Sequence, residues 1–259
     1  MESKAKALVV LSGGQDSTTC LHLAIQKYGR ENVYAITFDY GQRHSAEIEA
    51  AKIIADMANI ADHEIICVPD CLVSASPLTS TSELEKYTDY EQMDAVIGKR
   101  VELTFVPMRN TLFLTIAFNR AVKLGCAYIF TGICQEDNAN YPDCTDVFKS
   151  AFQRAANESL GGNHEYIFIE APLMYMSKAD TVRIAKDMPE CWIALAYSHT
   201  SYDGKYPPTD MNHSNVLRAH GFEEAGLPDP LVVRAWFEGL MELPATTNYD
   251  SLRGEGSQE

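Results

Sequence analysis

The sequence lacks any apolar run long enough to cross a membrane. A transmembrane helix needs roughly 20 consecutive apolar residues, and no stretch of the 259-residue chain approaches that length. The opening segment Met-Glu-Ser-Lys-Ala-Lys has neither the apolar core nor the cleavage site of a secretory signal. The seven cysteines are odd in number and scattered, so they do not form a disulfide framework. We therefore expect a cytoplasmic protein with no membrane partner.

Basic residues are also scarce, which constrains what the protein binds. The 21 Lys and Arg residues face 36 Asp and Glu residues, giving a net charge of −15 at pH 7. Nucleic-acid-binding proteins usually carry a basic face, because phosphate contacts supply most of their affinity. We therefore expect no direct nucleic-acid partner. ATP is not excluded, because its phosphates need only a local loop, one or two cations and Mg²⁺.

A glycine-rich loop after an apolar run is the most informative segment of the chain. Residues 8–11 are Leu-Val-Val-Leu, and Ser12-Gly13-Gly14-Gln15-Asp16-Ser17-Thr18 follow directly. Backbone N–H groups in such a loop converge on an anion, and the positive end of the next helix adds to their field. Two glycines by themselves leave an ordinary turn open as the alternative. The full string resembles the pyrophosphate loop of ATP pyrophosphatases, and without a following lysine it is not the loop of common NTPases.

Hydrophobic periodicity predicts strands and helices in alternation. We expect strands over residues 8–11, 33–38, 64–68, 128–131 and 166–169, and helices over 19–28, 45–58, 110–124, 146–159 and 177–187. Ser17 or Thr18 is expected to cap the first helix, and Ser177 the last of these. The order predicts an α/β fold with a doubly wound, mainly parallel sheet covered on both faces. Ligands bind beyond the carboxyl ends of such strands.

Two regions depart from this alternation. Residues 70–104 lack strong periodicity, and we interpret them as an insertion over the site. Beyond residue 190 the chain is acidic, with one helix predicted over 215–224 that packs on the main domain. We therefore expect a catalytic domain over residues 1–190 and a small helical C-terminal region over 191–259.

Further motifs fall in the loops expected at the ligand-binding edge of the sheet. They are Phe38-Asp39-Tyr40-Gly41-Gln42-Arg43-His44, Phe105-Val106-Pro107-Met108-Arg109-Asn110, Thr131-Gly132-Ile133-Cys134-Gln135-Glu136-Asp137, Tyr141-Pro142-Asp143-Cys144 and Pro172-Leu173-Met174 with Lys178. In order and spacing, over about residues 5–190, they resemble the 7-cyano-7-deazaguanine synthase family of PP-loop ATP pyrophosphatases, with its adenine nucleotide alpha hydrolase-like fold.

The resemblance implies a reaction and its participants. Members of this family activate 7-carboxy-7-deazaguanine with ATP to an acyl-adenylate, which ammonia converts to an amide. A second activation dehydrates the amide to a nitrile. We therefore expect ATP, Mg²⁺, a deazaguanine carboxylate and ammonia or another amine as partners, and a homodimer.

The loop and the resemblance together define a nucleotide site. The residues expected to bind ATP are Leu11, Ser12, Gly13, Gly14, Gln15, Asp16, Ser17, Thr18, Phe38, Tyr40, Gln42, Arg43, Gly132 and Lys178. Those expected to act in catalysis are Ser12, Asp16, Ser17, Lys178 and Arg109. The alternative interpretation of Lys178 is an ordinary solvated lysine on the surface. Asp16 either orients Mg²⁺ or caps the helix. Arg43 and Arg109 offer bidentate forks for phosphate or carboxylate, or else form surface ion pairs.

The expected substrate site follows the fourth strand. Its residues are Arg109, Cys134, Asp137, Tyr141, Pro142 and Asp143. A carboxylate can accept from the adjacent ring N–H and amino group of a guanine-like base, so we assign Asp143, with Asp137 second, to that edge. Tyr141 is expected to stack on the ring or to form a wall of the site. A simple turn rich in Asn, Asp and Pro is the alternative.

One departure from the family is large. The family carries four cysteines near the C-terminus that bind structural zinc, and Ser201, Thr209, Asn212 and Asn215 stand in their places. Hydroxyl and amide groups are poor zinc ligands, so we expect zinc to be absent. Two other sets of His and Cys are not expected to bind a metal. The first is irregularly spaced and consists of Cys191, His199, His213 and His220. The second is expected to pack in a strand and a loop and consists of His63, Cys67 and Cys71. Met108 replaces a family glycine, and we expect its side chain to reshape the pocket.

These departures leave three functions open. The first is the synthase reaction. The second is a ligase that joins the activated deazaguanine to an amine of a partner protein, as in antiphage gene clusters. The third is a nucleotide-binding subunit without catalysis. The intact loop at Ser12–Thr18, together with Lys178, favours an enzyme.

Overall fold

Five parallel strands form the centre of the molecule. The computed structural model describes residues 5–42, 45–80, 82–135, 139–162 and 164–255. The strands are β1 (Lys6–Val10), β2 (Val33–Asp39), β3 (Asp62–Cys67), β4 (Cys126–Phe130) and β5 (Phe168–Glu170). Their order is β3-β2-β1-β4-β5, and every neighbouring pair is parallel. The chain winds outward from β1 in both directions, so the predicted doubly wound parallel sheet is confirmed.

Helices cover both faces of this sheet. Their bounds are α1 (Gln15–Tyr28), α2 (Ala46–Ala58), α3 (Tyr90–Ile97), α4 (Arg109–Leu124), α5 (Asp146–Leu160), α6 (Lys178–Lys186), α7 (Pro189–Leu195), α8 (His213–Ala225), α9 (Pro230–Phe237) and α10 (Asp250–Glu255). Successive side chains of a strand point to opposite faces. Leu8 of β1 therefore packs in the cluster formed with α4 and α5, while Ala7 and Val9 pack with α1 and α2.

The first helix begins earlier than predicted. It starts at Gln15 rather than residue 19, and its N-cap is the extended Gly14, so the expected cap at Ser17 or Thr18 is wrong. The hydroxyls of Ser17 and Thr18 donate instead to the carbonyl of Gly14, over 3.2 and 2.8 Å. Both residues lie inside the first turn, where a short hydroxyl side chain reaches back to the preceding turn. By contrast, Ser177 caps α6 as expected, in a capping box with Asp180.

The insertion and the C-terminal region are packed structures. Residues 70–104 contain the helix α3, whose Met93 and Ile97 are buried against Val216 and Leu217 of α8. The helix predicted over residues 215–224 is confirmed as α8. Apolar side chains of α6, α7 and α8 share one buried cluster, so the C-terminal helices rest on the parallel-sheet domain. The domain boundary at residue 190 stays a prediction.

Across the described ranges, the structure contains no helix that combines the length and apolar character needed to traverse a bilayer.

Candidate active site

A cavity of about 750 Å³ lies at the carboxyl edge of the sheet. Its walls come from the loops after β1, β2 and β4, from the first residues of α4 and α6, and from α8. The predicted site residues that line it are Leu11, Ser12, Gly14, Gln15, Asp16, Ser17, Phe38, Tyr40, Gln42, Arg109, Gly132, Cys134, Tyr141, Pro142 and Lys178. Gly13, Thr18 and Asp143 do not line it, and Arg43 and Asp137 lie outside the described residues.

The glycine loop is held in shape by close backbone packing. Gly13 has φ +84°, and a Cβ there would lie 2.4 Å from the carbonyl oxygen of Glu47, so only glycine fits. A Cβ on Gly132 would lie 3.0 Å from the backbone nitrogen of Ser17. The Ser17 hydroxyl accepts from the Ser12 N–H over 3.1 Å. The loop is therefore a preformed cradle at the N-terminus of α1, where backbone N–H groups and the helix dipole attract an anion.

Lys178 reaches this loop from the start of α6. Its Nζ lies 2.8 Å from Oδ2 of Asp16, and 10% of its side chain is exposed against 21% for Asp16. A solvated surface lysine is therefore the wrong interpretation. The aliphatic part of the Lys178 side chain packs against the backbone of α8 at Gly221, where an added Cβ would lie 2.4 Å from Cγ of Lys178. We call the region of Ser12, Gly14, Asp16 and Lys178 the phosphate end of the cavity.

A second group of cavity residues, which we call the tyrosine end, consists of Tyr40, Arg109, Tyr141 and Tyr202, and the charge of Arg109 acts on all three tyrosines. The guanidinium carbon of Arg109 lies 6.0 Å from the centroid of the Tyr141 ring. The Tyr141 hydroxyl lies 2.5 Å from Oγ1 of Thr104, which holds that ring in place. Burial raises the pKa of all three tyrosines, so their hydroxyls stay neutral. Aromatic walls beside one guanidinium suit a flat ring that carries an anionic group.

Glu47, on the first turn of α2, is a cavity residue that the sequence analysis missed. Burial raises the pKa of Glu47 to about 7, although the nearby Arg109 acts to lower it. Its only signal in the sequence was an acidic residue near a helix start, which is common in helices of every kind. Tyr202 was missed as well, because it lies in the region interpreted as a replaced zinc module.

Asp143 forms hydrogen bonds with Asn110 at the start of α4. Its Oδ2 accepts from the backbone N–H of Asn110 over 3.3 Å, and its carbonyl oxygen accepts from Nδ2 of Asn110 over 3.2 Å. These contacts attach the turn Pro142–Cys144 to the start of α4, as in the alternative of an ordinary turn. The assignment of Asp143 to the base edge stays a prediction.

Met108 lies outside the cavity lining, with 61% of its surface exposed. The expectation that its side chain reshapes the pocket is therefore wrong. Its backbone has φ +66° and forms the N-cap of α4, a conformation that glycine adopts without strain. The Met108 side chain therefore lies in solvent rather than in the cavity.

Three of the four residues expected to stand in place of zinc-binding cysteines lie in one hydrogen-bonded network. Nδ2 of Asn215 donates to Oγ of Ser201 over 2.8 Å, and Nδ2 of Asn212 donates to the same atom over 3.4 Å. Ser201 in turn donates to Oδ1 of Asp203 over 2.5 Å. Among the described residues, no group of three or more His, Cys, Asp and Glu side chains is arranged to hold a metal. Hydrogen bonds therefore tie the start of α8 to residues 201–203.

A buried ion pair fixes α8 further along. The guanidinium of Arg218 contacts both carboxylate oxygens of Asp229, over 2.6 and 2.8 Å, and the two side chains are 3% and 4% exposed. The same guanidinium donates to the hydroxyls of Ser198 and Thr200. Although Arg218 lines the cavity, these contacts occupy its donors, so we assign it a structural role.

The sequence is similar to one protein family and to several of its members along most of its length. The family model described as "Queuosine biosynthesis protein QueC" matches residues 6–226. The chain is 43% identical to the 7-cyano-7-deazaguanine synthase of Gloeobacter violaceus, covering 87% of this chain and 95% of that protein. It is 42% identical to the synthase of Chromobacterium violaceum (91% and 97% covered) and 45% identical to that of Laribacter hongkongensis (88% and 94%). The matched residues include both ends of the cavity.

Proposed function

This chain belongs to the QueC family, and from that premise we propose that it activates 7-carboxy-7-deazaguanine with ATP and passes the acyl group to an amine. The main observation behind the proposal is that two chemically unlike groups of residues line one cavity. The phosphate end suits a nucleotide and the tyrosine end suits a flat carboxylate. A carboxylate is a poor electrophile, and transfer to AMP gives it a good leaving group, so both ligands must meet in one space.

In the first step, a carboxylate oxygen of the substrate attacks the α-phosphorus of ATP, and pyrophosphate leaves. The loop N–H groups and Lys178 stabilise the charge that develops on the departing pyrophosphate. Asp16 would supply a carboxylate to Mg²⁺, which in nucleotide sites is held by one or two protein carboxylates together with substrate phosphates and water. Bound Mg²⁺ would neutralise phosphate charge. The hydroxyl of Ser17, which accepts from Ser12, keeps the loop in shape.

In the second step, the amine attacks the acyl carbon and AMP leaves with the oxygen that came from the carboxylate. The attacking nitrogen must then lose a proton. Glu47 is the acidic side chain of the cavity that is suited to accept it, because its pKa of about 7 lies near the working pH. Arg109 is the group suited to hold the substrate carboxylate.

We expect the Glu47→Gln variant to slow amide formation about 10²-fold or more while leaving adenylation intact. Burial raises the pKa of Glu47 from 4.5 to about 7, so below pH 7 the carboxyl is protonated and cannot accept a proton. At a constant concentration of free ammonia, the wild-type rate should therefore rise through pH 7, and this rise should vanish in the variant. Pyrophosphate–ATP exchange reports adenylation separately.

Glu49→Gln is the matched control, because Glu49 lies on the same helix as an exposed partner of Lys52. It should leave both steps unchanged. An unaltered pH profile in Glu47→Gln would rule Glu47 out as the base, and an equal loss of exchange would show that Glu47 serves the first step instead.

We propose ammonia as the acceptor and the nitrile as the final product, because relatives that are 42–45% identical carry the name of the nitrile-forming synthase. The test incubates the protein with ATP, Mg²⁺, ammonium and the deazaguanine carboxylate and identifies the base product by mass spectrometry. The nitrile supports the proposal. Activation without any ammonia product would favour the ligase that uses an amine of a partner protein.

We also propose that the protein folds without zinc. The hydrogen bonds among Ser201, Asn212 and Asn215 support this, since they connect the same positions that the family's metal would connect. Elemental analysis should find little zinc, and chelators should leave the melting temperature unchanged. Asn215→Ala should cost about 1–3 kcal/mol of stability, because it leaves buried partners unpaired. One zinc per chain, with loss of stability on chelation, would overturn the proposal.

A further inference from the structure

His213 is a buried residue of the cavity that the reaction above does not use. It is the first residue of α8, lines the cavity and is 4% exposed. Within the described part of the chain, neither of its ring nitrogens has a hydrogen-bond partner. Buried polar groups nearly always have partners, so an unpartnered imidazole in the wall of a cavity indicates a missing ligand.

The charged groups around His213 indicate which ligand this is. The negative charge of Glu102 in the insertion and the positive charge of Lys178 on α6 both act on the imidazole, while Arg218 of the same helix pairs with Asp229. Lys178 belongs to the phosphate end, and Gly221 of α8 lies directly on its stem. The same lysine therefore packs against α8 and reaches the glycine loop.

Burial lowers the pKa of His213 to about 4, with Glu102 opposing and Lys178 reinforcing the shift. The ring is therefore neutral at pH 7 when the cavity holds no anion. A neutral imidazole carries one N–H donor and one acceptor nitrogen. Donation to a phosphate oxygen would satisfy the donor, and the positive end of α8 favours the same anion.

We propose that His213 is a further phosphate-binding residue, which donates its ring N–H to the nucleotide phosphates. The inference rests on the proposed use of ATP and deepens it. It also gives the polar network of Ser201, Asn212 and Asn215 a functional consequence. By holding the start of α8 in place, that network positions a ligand-binding side chain as well as a structural segment.

The test compares His213→Leu with His213→Gln, which keeps an N–H donor at this position. Binding of α,β-methylene ATP, measured by calorimetry, should weaken about tenfold in the leucine variant, the equivalent of one hydrogen bond to a charged group. The glutamine variant should recover most of this loss. Adenosine, which lacks phosphates, should bind both variants and the wild type equally. The melting temperature of His213→Leu should not fall, because the substitution removes an unpartnered buried polar group.

His220→Leu is the control, because His220 lies on the same helix but stacks on Tyr90 away from the cavity. It should bind the ATP analogue as the wild type does. Unchanged analogue binding in His213→Leu would overturn the inference, and so would an equal loss of adenosine. A wild-type protein that releases no pyrophosphate would refute the proposed function instead, so the two failures are distinguishable.

Discussion

Replacing Lys178 with methionine is expected to lower the rate of pyrophosphate release by about 10²–10³-fold, the usual effect of removing one group that stabilises charge in a transition state. Lys178 is 10% exposed and lies 2.8 Å from Asp16 at the glycine loop. Its charge is therefore held in a site of low dielectric, where it acts strongly on a departing anion. The measurement is the steady release of pyrophosphate at saturating ATP and deazaguanine carboxylate.

Lys186→Met provides the matched control, because Lys186 lies on the same helix and its ammonium rests over the ring of Trp192. Its turnover should match the wild type. Melting temperatures of both variants separate lost catalysis from lost folding, since Lys178→Met leaves the Asp16 carboxylate without this partner. A folded Lys178→Met variant with turnover near that of the wild type would show that the Lys178–Asp16 ion pair is structural only.

The second large effect is expected at the tyrosine end. Arg109→Met should weaken binding of 7-carboxy-7-deazaguanine by roughly 30- to 150-fold, or about 2–3 kcal/mol, the contribution of a hydrogen-bonded contact to a charged group. The same variant should bind the uncharged ring 7-deazaguanine almost as well as the wild type does, because that ligand has no carboxylate to pair. Calorimetry with the two ligands isolates the interaction between the guanidinium and the carboxylate.

Arg120→Met tests the specificity of this result, because Arg120 lies on the same helix and pairs with Glu64 away from the cavity. It should bind both ligands normally. If Arg109→Met lost affinity equally for the charged and uncharged rings, Arg109 would serve as a wall for the ring, through its contact with Tyr141, and the carboxylate would have another partner.

The parts of the fold that were predictable depend on local sequence. Strand and helix periods predicted the parallel sheet, and the position of Ser12–Thr18 after an apolar run predicted a ligand loop at its edge. The start of α1 was not predictable from local sequence, because Ser17 and Thr18 resemble capping residues. The close packing of Gly13 and Gly132 instead fixes a turn that ends at Gly14, so the helix begins at Gln15. Close backbone contacts between distant segments decided that boundary.

The candidate site was predictable where several of its residues are close together in one sequence motif. It was not predictable where a helix contributes a single polar side chain. Glu47 and His213 each lie in the first turn of a helix, where a polar residue is ordinary. They become notable only because the fold turns them into the cavity. Asp143 shows the reverse case, since a carboxylate in a ligand-like motif also attaches its own turn to Asn110.

The central claim is that the substrate carboxylate is activated on the α-phosphorus of ATP. The most direct test supplies 7-carboxy-7-deazaguanine with a heavy-oxygen label in its carboxylate and follows the label by mass spectrometry. Attack on the α-phosphorus, followed by amine attack on the acyl carbon, must transfer one labelled oxygen to AMP, with unlabelled pyrophosphate as the other product. Label in inorganic phosphate, with ADP as the nucleotide product, would contradict the account.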